Sequence, residues 1–293
     1  ELDLSEIDTY FAMARGYQGE HGDVKALAMK KWFNTNYHYI VPETEDDIQI
    51  KLSGNKIWEE YDEAKELGIE TKPMLTGAYT MLKLCRYTGN KSEKDYVGDI
   101  IAAYKELLQT CGKKQIAWVQ FDEPALVLDM DDSDKALFHQ IYDELLAVET
   151  DTKVLLQTYF GDIRDLYEEV IKMPFAGIGL DFIEGKQTCD LVSKYGFPKD
   201  KVLFAGVVNG KNIWKNHYDK TLKVLSGLRE KGIDTVISTS CSLLHVPYTL
   251  ENEEKLSKEY TAYFSFAKEK LVELSELGKL ADSKNYAEYE IFK

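Results

Sequence analysis

Residues 116–124 read IAWVQFDEP, and this short stretch decides between the possible folds. Its first six residues, 116–121, are mostly apolar and have the length of a buried strand. Two carboxylates, Asp122 and Glu123, follow directly and Pro124 ends the pattern. A strand that is apolar along its length and ends in polar groups is typical of a parallel α/β sheet, in which functional residues collect at the carboxyl ends of the strands.

The same pattern extends along the chain from about Leu52, where helical stretches alternate with short apolar runs. Further strands are predicted at 72–75, 154–160, 177–182, 202–208 and 235–240. Helices are predicted at 57–67, 95–111, 133–148 (capped by Asp132 or Ser133), 162–172, 188–195 and 219–231, with a long helix or helical pair over 250–277. This alternation predicts one α/β domain built on a parallel sheet.

Six strands can be counted, whereas a complete (β/α)8 barrel has eight. The segment 32–41 is also strand-like, so either it supplies barrel strands or the chain starts inside the domain. No GxGxxG motif follows a first strand, which disfavours a dinucleotide-binding Rossmann domain.

Composition excludes several classes of function. With 51 acidic and 36 basic residues, the net charge is −15, so a nucleic-acid partner is not expected. No apolar run is long enough to cross a bilayer, and residues 1–10 lack the pattern of a signal peptide. The four cysteines, Cys85, Cys111, Cys189 and Cys241, form no CxxC pair, which favours a reduced, cytoplasmic environment.

Three groups of residues could carry chemistry. Asp122 and Glu123 could orient a ligand, position a cation or act as acid and base, or they could cap the following helix or pair with neighbouring lysines. Cys241 and His245 would hold a metal only if distant ligands converged, and a buried thiol beside a loop histidine is the simpler interpretation. Residues 30–39, KKWFNTNYHY, could hold a polyanionic ligand, or could form a β-hairpin of packed aromatic rings.

Taken together, these motifs resemble the amino-terminal domain of cobalamin-independent methionine synthase. The resemblance rests on 28–43 (AMKKWFNTNYHYIVPE), with 10–16 (YFAMARG), 72–77 (KPMLTG), 119–127 (VQFDEPALV), 205–214 (AGVVNGKNIW) and 240–245 (SCSLLH). The motifs follow one another in the family's order over almost the whole chain. The implied fold is the TIM-type barrel of the methionine synthase and uroporphyrinogen decarboxylase-like kind.

The resemblance also implies a function. The family transfers a methyl group from 5-methyltetrahydropteroyltri-glutamate to homocysteine, at a site between two barrels. A zinc ion in the carboxy-terminal barrel activates the homocysteine thiolate. The amino-terminal barrel helps to hold the folate and its glutamate tail, and the matching positions here are Lys31 and Asn36. No catalytic residue is carried over, and neither is a role for Lys30, Tyr37 or His38.

Two departures from the family limit these expectations. The Arg-Glu-Leu-Lys motif of the first strand, and the strand after it, have no counterpart, so we expect residues 1–293 to be an amino-terminal barrel without its first two strands. The zinc-bearing barrel has no counterpart either, and the positions equivalent to its ligands are Thr158, Phe160, Asp181 and Cys241. We therefore expect no metal and no cofactor in this chain, zinc only in a carboxy-terminal domain, and no methyl transfer by this chain alone.

Two other functions remain open. The chain could be a stand-alone folate-binding or scaffold barrel without catalysis. It could also be a different enzyme on the related decarboxylase barrel that uses Asp122 and Glu123, although a porphyrin pocket needs arginines and this chain has only Arg15, Arg86, Arg164 and Arg229. A barrel that lacks two strands exposes two sheet edges, and these could cause self-association.

Overall fold

Small elements that lie outside the central sheet form the amino-terminal part of the protein. The structure, a computed structural model, describes residues 4–20 and 22–283. In chain order these first elements are α1 (Glu6–Arg15), β1 (Tyr17–Gly19), β2 (Gly22–Val24), β3 (Met29–Lys31), β4 (His38–Ile40), β5 (Glu43–Thr44) and α2 (Lys56–Glu66).

The strand-like segment 32–41 does not enter the barrel. β3 and β4 pair in antiparallel register, with Lys30 opposite Tyr39 and Lys31 opposite His38, and form a two-stranded hairpin. The Trp32 ring packs edge-on against Tyr39, with centroids 5.8 Å apart. The hairpin interpretation of the aromatic segment is therefore correct, and of the two explanations for the missing strands, the one that placed barrel strands here was wrong.

Six parallel strands form the central sheet, in the order β12-β11-β10-β9-β8-β6. The remaining elements are β6 (Met74–Thr76), α3 (Ala78–Leu84), β7 (Arg86–Tyr87), α4 (Val97–Lys113), β8 (Trp118–Asp122), α5 (Asp132–Leu146), β9 (Lys153–Gln157), α6 (Tyr167–Val170), β10 (Gly177–Asp181), α7 (Thr188–Tyr195), β11 (Val202–Val208), α8 (Tyr218–Glu230), β12 (Thr235–Thr239), α9 (Lys258–Thr261) and α10 (Ala267–Asp282). Consecutive strands of the sheet are neighbours and helices connect them, which is the connectivity of a TIM-type barrel.

Alternating residues of each strand face two different environments. On β8, Val119 and Phe121 are fully buried in the core between sheet and helices, while Gln120 and Asp122 point to the other face and reach a cavity. A parallel strand that is covered on both sides has a nearly continuous apolar sequence. For this reason all six strands of the sheet could be predicted from the sequence. The polar residues on the inner face open a space inside the sheet.

The barrel is open between β6 and β12. Side chains from both edge strands, Met74 on β6 and Ser238 on β12, line one cavity, so the sheet curves until its two edges face each other. Met74 is 55% exposed and Val236 is 41% exposed. Among the described residues, no further strand pairs with either edge.

Two predicted helices need correction. The helix predicted over 162–172 is reduced to α6, because the Asp162 and Asp165 carboxylates accept backbone N–H groups from Gln187 and Met130 instead of continuing a helix. The helix over 133–148 is confirmed as α5, but its N-cap is Asp131 rather than Asp132 or Ser133.

In the region 250–277, the long single helix was wrong, and the alternative of a helical pair agrees with the structure. The region is a 3₁₀ turn, a short α9 and then α10, because the chain between the two helices pairs with the loop after β11: the Ser265 N–H donates to the Ile213 carbonyl at 2.7 Å. Within the described residues, no helix is both long and apolar enough to cross a membrane.

Candidate functional site

The carboxyl ends of the strands surround a small polar cavity of about 180 Å³. Polar lining residues come from three strands, β8, β9 and β12, or the turns that follow them: Gln120, Asp122, Gln157, Tyr159, Ser238 and Cys241. Gly179 makes room for it, because a Cβ at this position would lie 2.0 Å from the Gln157 side-chain oxygen. Four of them, Asp122, Gln157, Tyr159 and Cys241, lie at strand ends where polar groups were predicted to collect.

Asp122 is the carboxylate that faces this cavity. It is 8% exposed, and it accepts hydrogen bonds from the Gln120 amide at 2.6 Å and the Tyr159 hydroxyl at 3.1 Å. Burial raises the pKa of Asp122 to about 6, while those two donors and the charge of Lys72 lower it. Asp122 therefore changes charge near neutral pH and could hold a polar ligand.

Glu123 faces away from the cavity and has a structural role. It is fully buried, and its two oxygens accept the Tyr79 N–H at 3.0 Å and the Thr80 N–H at 2.7 Å, which are the first free amides of α3. The Tyr142 hydroxyl also donates to it. The expectation that this pair could cap the following helix was therefore wrong for Glu123, since the helix it caps is the preceding α3.

The four positions equivalent to the zinc ligands of the sister barrel do not fit a zinc ion. Thr158 donates its hydroxyl to the Gly179 carbonyl, and Phe160 has no ligand atom in its side chain. The Asp181 oxygens accept three backbone N–H groups, from Phe160 and residues 183 and 184. Burial raises the pKa of the Cys241 thiol to about 12, away from the thiolate that binds zinc. Within the described ranges 4–20 and 22–283, no three His, Cys, Asp or Glu side chains converge.

The β3–β4 hairpin lies against the loops that follow the barrel strands. The Tyr37 hydroxyl donates to the Leu244 carbonyl, and the Tyr37 ring packs edge-on against His245 with centroids 5.1 Å apart. The Phe33 ring lies 6.0 Å from the ring of Phe160, which follows β9. These contacts place the hairpin at the carboxyl end of the sheet, beside the cavity.

Lys31 and Asn36, the two predicted site residues, lie on this hairpin. Lys31 ends β3 and Asn36 is in the turn, and both are exposed. Neither side chain has a hydrogen bond or ion pair with any residue of the described chain. Lys31 is therefore a cation without a fixed counter-ion at the end of the barrel where ligands bind.

Sequence reasoning missed three residues that fix this hairpin. Asn34 donates its side-chain amide to Glu184 at 2.8 Å and accepts a hydrogen bond from Lys211 at 2.9 Å. Lys211 also forms an ion pair with Glu184 at 2.8 Å. The sequence holds little signal for this contact. Asn34 lies in the hairpin turn, whereas Glu184 and Lys211 follow two different strands, and only the fold brings the three together.

The chain is similar to known proteins in its sequence and in its fold. The family model described as "Cobalamin-independent synthase, N-terminal domain" matches residues 1–233. A 5-methyltetrahydropteroyltriglutamate–homocysteine methyltransferase of Lactococcus lactis subsp. lactis is 54% identical over 284 residues, and one of Campylobacter jejuni (strain RM1221) is 52% identical over 282 residues. They cover 97% and 96% of this chain, which spans only 37% of the length of each relative.

Solved structures support the fold. A B12-independent methionine synthase from Shewanella sp. W3-18-1, in complex with selenomethionine, superposes with a TM-score of 0.63 at 14% identity, over 86% of this chain and 73% of that one. A methyltransferase from Methanosarcina mazei gives a TM-score of 0.50 at 11% identity, over 74% and 70% of the two chains. The TIM-type barrel expected from the sequence is confirmed, and the chain belongs to the cobalamin-independent synthase family, where it corresponds to the amino-terminal domain.

Proposed function

We propose that residues 1–293 are the barrel that binds the folate tail in an enzyme that transfers a methyl group from 5-methyltetrahydropteroyltri-glutamate to homocysteine. Relatives at 52% and 54% identity are methyltransferases of this reaction, which is the basis for proposing it here. The zinc that activates homocysteine, and the catalytic residues, belong to a carboxy-terminal barrel, which is the partner of this one. This chain contributes substrate binding, and by itself it transfers no methyl group.

The observation that carries this proposal is the position of Lys31. Its ammonium group is exposed and without a counter-ion among the described residues, on a hairpin that is held against the strand ends. A chain with a net charge of −15 repels a polyglutamate unless cations are placed to meet it. Asn36 lies in the turn of the same hairpin and supplies amide donors for a second carboxylate.

This proposal is tested by comparing two ligands that differ only in the tail. Isothermal titration of the purified chain should give a higher affinity for 5-methyltetrahydropteroyl-triglutamate than for the monoglutamate, by about tenfold because the extra carboxylates meet placed cations. The preference should shrink as salt is added. Equal affinities for the two ligands at low salt would contradict a tail-binding function.

The open edges of the sheet support a second, independent proposal about assembly. We infer that β6 and β12, whose outer backbone groups have no ladder partner among the described residues, pair with strands of another chain. The purified chain should then show a concentration-dependent mass above that of one copy in light scattering. A single mass equal to one copy over a hundredfold range of concentration would be evidence against this pairing.

A further inference from the structure

A closed ring of three side chains joins the turn of the β3–β4 hairpin to the barrel. Asn34 is in the turn, Glu184 follows β10 and Lys211 follows β11. Asn34 donates to one Glu184 oxygen at 2.8 Å, Lys211 pairs with the other at 2.8 Å, and Lys211 also donates to the Asn34 oxygen at 2.9 Å. Each of the three side chains therefore contacts both of the others.

We propose that Lys211 is a positioning residue, which holds the hairpin so that Lys31 and Asn36 meet the glutamate tail. This inference rests on the proposed function, because it concerns the same site. Lys211 differs from Lys31 in two respects. Its charge is already paired with that of Glu184, and its side chain is only 20% exposed. It is therefore placed to act through Asn34 rather than as a free cation.

The surroundings of Lys211 strengthen the ring. Its ammonium group lies 5.0 Å from the centroid of the Phe160 ring, where a cation is favoured. Phe160 in turn contacts Phe33 of the hairpin. Lys211 thus supports the turn in two ways. It donates a hydrogen bond to Asn34, and it contacts Phe160, which packs against Phe33.

Tyr37 also holds the hairpin turn to the barrel, through its hydroxyl, which donates to the Leu244 carbonyl, and through its ring, which packs against His245. The Thr35 hydroxyl donates to the Trp32 carbonyl and accepts the Tyr37 N–H, and both bonds stay inside the hairpin. Asn36 is two residues from Asn34, and Lys31 directly precedes Trp32. Release of Asn34 would therefore leave only the contacts of Tyr37 and Phe33 described above, and would loosen the part of the hairpin that carries both proposed tail contacts.

The experiment uses the full chain with Lys211→Met, Asn34→Ala and the double variant. Lys215→Met is the matched control, since Lys215 is an exposed lysine of the same loop and its side chain has no partner among the described residues. Amide hydrogen exchange over residues 32–37 reports on the hairpin without any ligand. Titration with the triglutamate and monoglutamate forms of 5-methyltetrahydropteroate reports on tail binding.

We expect each single variant to speed exchange in the hairpin, and to weaken triglutamate binding, by about fivefold, with monoglutamate binding unchanged. The double variant should lose no more than either single variant, because both break one ring. The proposal is overturned if hydrogen exchange in the hairpin is unchanged, or if the losses of triglutamate affinity in the two single variants add in the double variant. Either result would indicate that Lys211 contacts the ligand itself. If the unmodified chain shows no triglutamate preference, the proposed function fails, and so does positioning for the tail. Hydrogen exchange then still decides whether Lys211 holds the hairpin.

Discussion

Replacing Glu123 with alanine is expected to lower the free energy of unfolding by about 4 kcal/mol, because it leaves several buried donors without an acceptor. The Tyr79 and Thr80 amides at the start of α3 and the Tyr142 hydroxyl all donate to this one carboxylate, which is fully buried. The two amides and the tyrosine hydroxyl are buried, so they can form hydrogen bonds with water only if the core opens. Urea unfolding followed by circular dichroism measures the change.

A matched control separates this effect from the loss of any glutamate. Glu144 is 57% exposed and pairs with Lys105 at the surface, so Glu144→Ala should cost less than about 1 kcal/mol. If the two alanine variants unfold at the same urea concentration, Glu123 does not hold α3 in the way described.

The pH dependence of Glu123→Gln provides an independent check. Burial raises the pKa of Glu123 from 4.5 to about 7, in spite of the donors that lower it. A carboxyl whose pKa is higher in the folded state than in the unfolded state contributes stability below its unfolded pKa, and this contribution is lost as pH rises through the folded pKa. The stability advantage of the unmodified chain over Glu123→Gln should therefore shrink between pH 4.5 and pH 7. A constant difference over this range would contradict the burial of an ionisable group here.

The fold could be predicted because its signal is local. Each of the six strands is an apolar run that ends in polar residues, and the order of the chain is also the order of the sheet. The segment 32–41 was ambiguous for a physical reason: alternating aromatic residues suit a barrel strand and a packed hairpin equally well. Only the tertiary contacts of Tyr37 and Phe33 distinguish between the two.

The site was harder to predict, because its contacts join residues far apart in the chain. The sequence showed Asp122 and Glu123 as one carboxylate pair, yet adjacent residues of a strand point to opposite faces. Asp122 consequently lines the cavity, while Glu123 caps α3. Asn34 and Lys211 are 177 positions apart, and no local pattern connects them. The local sequence pattern therefore identifies the strand end that lies at the candidate site, but not which of its side chains faces that site.

Lys31 differs in its electrostatic surroundings from two other lysines of the barrel, Lys211 and Lys72. Lys211 is paired with Glu184, and Lys72 lies over the Phe204 ring, 4.9 Å from its centroid, where burial lowers its pKa. Lys31 alone among these three is exposed and has no side-chain partner among the described residues. An anionic ligand that approaches this end of the barrel would meet its ammonium group at little cost, since no existing ion pair has to break.

Reversing the charge of Lys31 is therefore the sharpest test of tail binding. Lys31→Glu removes one attraction and adds one repulsion, so triglutamate affinity should fall by about tenfold at low salt, from two exposed charge effects of about 0.7 kcal/mol each. Monoglutamate affinity should change much less, because the effect depends on the carboxylates of the tail. Titration at low and high salt measures both, and the loss should diminish as salt screens the charges.

Lys30→Glu is the control that makes this result specific. It changes the net charge equally and lies next to Lys31, but adjacent residues of a strand point to opposite faces, and Lys30 lies opposite Tyr39 on the face that carries the Trp32 ring. If both variants lose triglutamate affinity equally, the tail responds to the overall charge of the hairpin and not to Lys31. If only Lys31→Glu loses it, the tail is bound on the face of the hairpin that carries Lys31.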